Sequence, residues 1–230
     1  MKQYFTRTEL ILWGGSSVLM VLSFVIFDRE NYLTLAASLT GAASLILNAK
    51  GNPAGQALMI VFSVMYGIIS YSYAYYGEMV TYLGMTAPMA LFSLFSWLLH
   101  PYSGKHSEVE VNTLGKVEIS VMLVLTVIVT YLFYHILNFF GTANIIPSTL
   151  SVTTSFLAVY LTFRRSPYFA AAYAANDIVL IVLWVMASAA DSRYISVVVC
   201  FVMFLANDVY GFLNWRRMKT RQSATGSSEP

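Results

Sequence analysis

Eight apolar runs constrain this chain more than any motif it carries. They cover residues 10–27, 33–48, 55–76, 80–99, 118–139, 147–163, 168–188 and 194–214, and charged residues or Gly and Pro end each one. About 20 apolar residues in a helix cross the roughly 30 Å of bilayer hydrocarbon, and there a helix satisfies its own backbone without water. The runs at 33–48 and 147–163 are short and count as spans from their context. Only 10% of the side chains are charged, against about a quarter in ordinary soluble domains. The fold class is therefore an all-α integral membrane protein with eight transmembrane helices, and its first partner is the lipid bilayer. Lys2 and Arg7 precede the first run as they would in a secretory signal, but "VIFDRENY" offers no small-residue cleavage site, so the run reads as a retained helix. Cys200 stands alone, which leaves no thiol pair for a disulfide or a metal cluster.

Eight crossings put both termini and the joints near 50, 100–117 and 164–165 on one side. That side holds eleven of the thirteen basic residues, and only Arg29 and Arg193 fall on the other. The bias of Lys and Arg towards the cytoplasm makes this the cytoplasmic side of a cell inner membrane, with both termini inside. The pairs at 164–165 and 216–217 read first as topological anchors. The tail from Ser223, "SATGSSEP", has the composition of a disordered segment.

An offset of 115 residues lays "TLAASLTGAASLILNAKGNP" (34–53) over "TLSVTTSFLAVYLTFRRSPY" (149–168) and sets Lys50 on Arg165. This predicts one extra N-terminal helix plus a 3+1+3 core of two parallel triple-helix repeats, an arrangement that holds a substrate between halves near the midplane. The expected boundaries are an N-terminal segment 1–32, a first bundle 33–100, a loop and linker helix 101–146, a second bundle 147–216 and a tail 217–230.

Of eleven acidic residues, nine fall in joints, helix ends or the tail by this reading, Glu9 and Glu78 among them, and Asp177 and Asp208 remain inside spans. At 1.5 Å per residue Asp177 lies about 18 Å from Arg165 and Asp208 about 12 Å from Arg216. An acid at that depth costs roughly 2.5–3.5 kcal/mol on insertion scales, so both should face a polar cavity or a polar partner on a neighbouring helix. No Lys or Arg sits at matching depth, which favours a transient partner: a cation, a proton or water. Asn176 and Tyr173 accompany Asp177, while Asn207 and Tyr210 accompany Asp208, at spacings that share a helix face. Ser63, Tyr66, Ser70 and Tyr73 form a polar stripe on the third helix; Tyr66 and Trp184 are further candidate contacts. Trp97 and Trp215 read as interface anchors or gate residues, Pro88 as a mid-membrane kink and His135 as a packing histidine.

No phosphate-cradling loop, zinc pattern, nucleophile elbow or paired-histidine motif occurs, so the chain reads as no enzyme, with no cofactor and no nucleic-acid partner. Over residues 33–218 it resembles the Pnu-type vitamin transporters, through the 3+1+3 plan, "GNPAGQALMIVFSVMYGIISYSYAYYGEM", "YFAAAYAANDIVLIVLW" and "YGFLNWRRM". The resemblance implies a pocket between the two bundles, uptake of nicotinamide riboside by facilitated diffusion, trapping by a separate cytoplasmic kinase, and a homotrimer. Where members often carry two tryptophans three apart and then Asn, this chain has Ala170, Tyr173 and Asp177, so the pocket is altered. Thiamine, or a neutral nucleoside or deoxynucleoside, stays open as substrate. Proton coupling through Asp177 or Asp208, and a membrane receptor or scaffold, are the rival readings.

Overall fold

The computed structural model describes residues 4–72, 75–142 and 144–226. Among these, eight helical crossings match the eight apolar runs. They are α1 (Arg7–Phe27), α2 (Tyr32–Ala49), α3 (Ala54–Ser72), a fourth crossing made of α4 (Tyr76–Thr81), a π-turn (Tyr82–Thr86) and α5 (Ala87–Leu99), then α6 (Lys116–Phe139), α7 (Ile145–Phe163), α8 (Phe169–Ser188) and α9 (Ile195–Gly226). The expected kink at Pro88 takes the form of the π-turn. Pro88 has no N–H for the Gly84 carbonyl, and the ladder widens just before it, where Ala87 N–H reaches back five residues to Tyr82 O.

The expected extra helix, α1, packs on α2 and α9. Its N-terminus is a capping box, with Thr6 Oγ1 accepting from Glu9 N–H at 3.2 Å and Glu9 Oε2 accepting from Thr6 N–H at 2.7 Å. Glu9 also pairs with Lys50 at 3.0 Å and accepts from Tyr210 Oη at 3.0 Å. A residue assigned by depth to a helix end is thus only 2% exposed and fastens α1 to the core. His135 lies on the outward side of α6 against the Tyr131 ring, 4.6 Å between centroids, and so is no core residue.

The same backbone turn is built twice. After α2, Gly51 N–H bonds Asn48 O and Asn52 N–H bonds Leu47 O; after α7, Arg165 N–H bonds Thr162 O and Ser166 N–H bonds Leu161 O. Both turns need a left-handed residue, supplied by Gly51 at φ 67° and by Arg165 at φ 55°. A short hairpin absent from the expected elements, β1 (Pro101–Tyr102) and β2 (Lys105–Val109), reverses at Ser103 and Gly104, both with positive φ. The hairpin and the segment after it tie the two turns together, since Val109 N–H bonds Gly51 O at 2.9 Å and Asn112 N–H bonds Arg165 O at 3.0 Å. Gln222 at the end of α9 closes on it, accepting from Val111 N–H at 2.8 Å and donating to Val109 O at 3.1 Å. With Gln222 so held, residues expected to be disordered from Ser223 continue the helix to Gly226.

Candidate functional site

Between α3, the π-turn, α7, α8 and α9 lies a closed chamber lined by Phe62, Tyr82, Ser155, Tyr173, Asn176, Asp177, Phe201, Phe204 and Asp208, among others. Its free volume is about 20 Å³, room for about one water and far below the roughly 300–1,000 Å³ of a small-molecule site. As it stands the chamber is too small for a small-molecule guest.

The helical repeat places the acids there. On α8, Tyr173, the pair Asn176 and Asp177, Leu180 and Trp184 follow one another at helical spacing, and on α9 Phe201, Phe204 and Asp208 do the same. Each acid is 4% exposed, and both line the chamber. Asp177 Oδ2 has no hydrogen-bond partner. Asn176 Oδ1 accepts from Thr154 Oγ1 at 2.8 Å, Ser155 Oγ at 3.0 Å and Ser151 Oγ at 3.5 Å. With its oxygen committed, what Asn176 still has for a guest is its amide N–H donors.

Two sequence candidates turn elsewhere. Asn207 precedes Asp208 by about 100° of helix rotation, and its amide donates to Ser16 of α1 at 3.0 Å and to Met203 O at 2.7 Å. Tyr210 is taken by Glu9 of the same helix. Both residues hold α1 in place, and neither lines the chamber. The extra helix, outside the predicted core, is the partner that the spacing within α9 could not reveal.

Aromatic plates close the chamber at both ends. Towards the face opposite the basic residues, here the far face, Trp184 Nε1 donates to Tyr66 Oη at 2.7 Å, with Tyr75, Tyr194 and Phe201 packed around them. Tyr66 and Trp184 therefore form the lid over the chamber and not its wall. Tyr73 of the predicted stripe lies outside the described residues, whereas Ser63, Tyr66 and Ser70 are all buried as the stripe requires. Removing the Tyr66 hydroxyl should take away this buried hydrogen bond and cost about 1–3 kcal/mol. Thermal melting in detergent should show that loss for Tyr66→Phe, with part of it recovered when Trp184→Phe removes the donor too.

At the basic face Trp97 and Trp215 lie 5.3 Å apart, with Phe169 against both. Their indoles cross over: Trp97 Nε1 donates to Thr162 O at the end of α7, and Trp215 Nε1 donates to Asn48 O at the end of α2. Ala170, where relatives of the Pnu type often have Trp, is 1% exposed, and a Cβ on Gly211 would stand 3.5 Å from its own Cβ. The close approach of α8 and α9 leaves no space for an indole there. A wider cleft of about 800 Å³ at the basic face, lined by Glu9, Lys50, Lys105, Arg217 and Arg221, is separate from the chamber.

Sequence reading also missed Glu78. It is 1% exposed, and neither of its oxygens has a hydrogen-bond partner. The signal was the buried stripe Glu78, Thr81, Tyr82, Met85 and Thr86, spaced like the stripe of α3.

The family model for the nicotinamide mononucleotide transporters matches residues 31–217. A protein of Neisseria mucosa, the nicotinamide riboside transporter PnuC, is 24% identical over 202 residues, which cover 86% of this chain and 77% of that one. The crystal structure of the vitamin B3 transporter PnuC has the same fold, with a TM-score of 0.83 at 23% identity over 95% of this chain and 94% of that one.

Proposed function

We propose that this chain, which belongs to the nicotinamide mononucleotide transporter family, carries nicotinamide riboside, the nucleoside without its phosphate. The observation that carries the proposal is the pair Asp177 and Asp208 in an aromatic chamber whose lining includes no Lys or Arg. The pyridinium of nicotinamide riboside is a fixed cation, so buried carboxylate offsets its desolvation and the faces of Tyr82, Tyr173 and the phenylalanines accept its ring. Asn176 donors suit the ribose or carboxamide oxygens. A nucleotide would bring its phosphate against two acids with no cation to receive it.

The chain moves the nucleoside by facilitated diffusion through rocking of two triple-helix units, in an inner membrane with its termini cytoplasmic. A separate kinase traps the product, and the protein assembles as a homotrimer, as the family resemblance implies. The twice-built turn and the crossed tryptophan bonds support the two-unit reading, because each unit ends on a ring that bonds to the first helix of the other.

Purified protein in liposomes should equilibrate labelled nicotinamide riboside to equal concentrations inside and out, with nicotinamide mononucleotide entering at least about a hundredfold more slowly. Equal entry of both would overturn the substrate reading. Two buried acids on the wall of one chamber favour one second reading, proton coupling; accumulation above the external concentration that collapses with a protonophore would establish it.

A further inference from the structure

We propose that Glu78 and the aromatic lid around it form a second station for the cationic base, between the far face and the chamber, which the pyridinium occupies on its way to Asp177 and Asp208. The station rests on the reading of the substrate as a cationic nucleoside. Glu78 sits in the first turn of α4, fully buried, with both oxygens unpartnered and no ion pair among the described residues. The Ser151 hydroxyl lies beside it, 3.5 Å from Asn176 Oδ1.

The position of Glu78 is imposed by its neighbour. A Cβ on Gly77 would stand 2.9 Å from Leu137 Cδ2 and 2.9 Å from Thr142 Cγ2, so α4 is pressed against the end of α6. Tyr82 follows Glu78 by four residues on its face of the crossing, Tyr75 stands at the N-cap of α4 three residues before it, and the Tyr66 ring lies 4.3 Å from that of Tyr82. A carboxylate kept uncompensated in the interior is costly. Aromatic faces beside it supply what a flat organic cation takes from a protein: a counter-charge and a π surface. No group of three or more His, Cys, Asp or Glu lies together among the described residues, so the site has the donors for an organic cation and not for a coordinated metal.

The geometry also links the two stations. Tyr82 is one turn beyond Glu78 on the fourth crossing and lines the chamber. Ser151 stands between Glu78 and Asn176. A ring leaving Glu78 passes over Tyr82 and meets Asp177 next.

The test separates charge from shape. Uptake into liposomes is measured for nicotinamide riboside and for its uncharged 1,4-dihydro form with wild type, Glu78→Gln and Glu78→Asp, with thermal melting of each variant in detergent. Glu78→Gln should raise the half-saturating concentration of the cation about tenfold and leave that of the dihydro form unchanged, while Glu78→Asp, which keeps the charge, falls between. No change for the cation, or an equal change for both forms, would overturn the station and leave the transport reading standing. Wild-type protein that carries no nicotinamide riboside would remove the transport reading and the station with it.

Discussion

Asp177→Asn should abolish measurable uptake of nicotinamide riboside while the protein stays folded. The substitution keeps the shape of the side chain and removes the charge that meets the pyridinium. Removing one member of a buried charge pair costs about 2–5 kcal/mol, on the order of a hundredfold or more in binding. Stability should move the other way. Asp177 Oδ2 is unpartnered and a second acid, Asp208, lines the same chamber, so a neutral amide spares the empty protein one of two buried acids. A melting temperature equal to or above that of wild type, together with lost uptake in liposomes, is the expected pair of results. Undiminished uptake would take Asp177 out of the mechanism. Asp208→Asn is the matched comparison and should weaken uptake without silencing it, because Asp177 keeps a free carboxyl oxygen for the guest.

Gly41→Ala should damage both folding and transport. A Cβ at Gly41 would lie 2.2 Å from Phe204 Cζ, so the ring must leave its place between α2 and α9. It has nowhere to go, since Phe204 is already packed 5.4 Å from Phe62 and 5.6 Å from Phe201 on the wall of a chamber holding about 20 Å³. Overpacking of this kind costs about 1–3 kcal/mol, visible as a lowered melting temperature, and the displaced ring blocks the route of the guest. Adding Phe204→Leu should restore much of the stability. Gly14→Ala, where a Cβ would meet nothing within 4 Å, is the control and should leave melting and uptake unchanged.

The spans were legible because hydrocarbon length and backbone satisfaction leave a membrane chain few alternatives. Asp177 was legible for the same reason: an acid at mid-depth has nowhere to point except inward, and its helical spacing brings Tyr173 and Asn176 with it. Asn207 and Tyr210 were not, because one residue of rotation separates the chamber face of α9 from the face that meets α1, and spacing along one helix says nothing about which neighbour stands on each side. Glu78 was overlooked for a related reason. Depth counted along the chain placed it near a helix end, yet Gly77 brings α4 and α6 so close that even the first turn is sealed. The hairpin had a readable turn at Ser103 and Gly104, but its strands are too short to show an alternating pattern.

The two closures of the chamber are made of different materials. At the basic face the halves are joined by directional bonds, from Val109 N–H, Asn112 N–H and the two indoles to backbone carbonyls. Among the described residues of the far face, a hydroxyl–indole bond sits within contacts between rings. Apolar contact weakens on cooling, whereas a bond network does not follow that dependence. For the rocking carrier proposed above this predicts a thermal asymmetry: cooling should shift the resting population towards the form open at the far face, and exposing the basic face should carry the larger activation enthalpy.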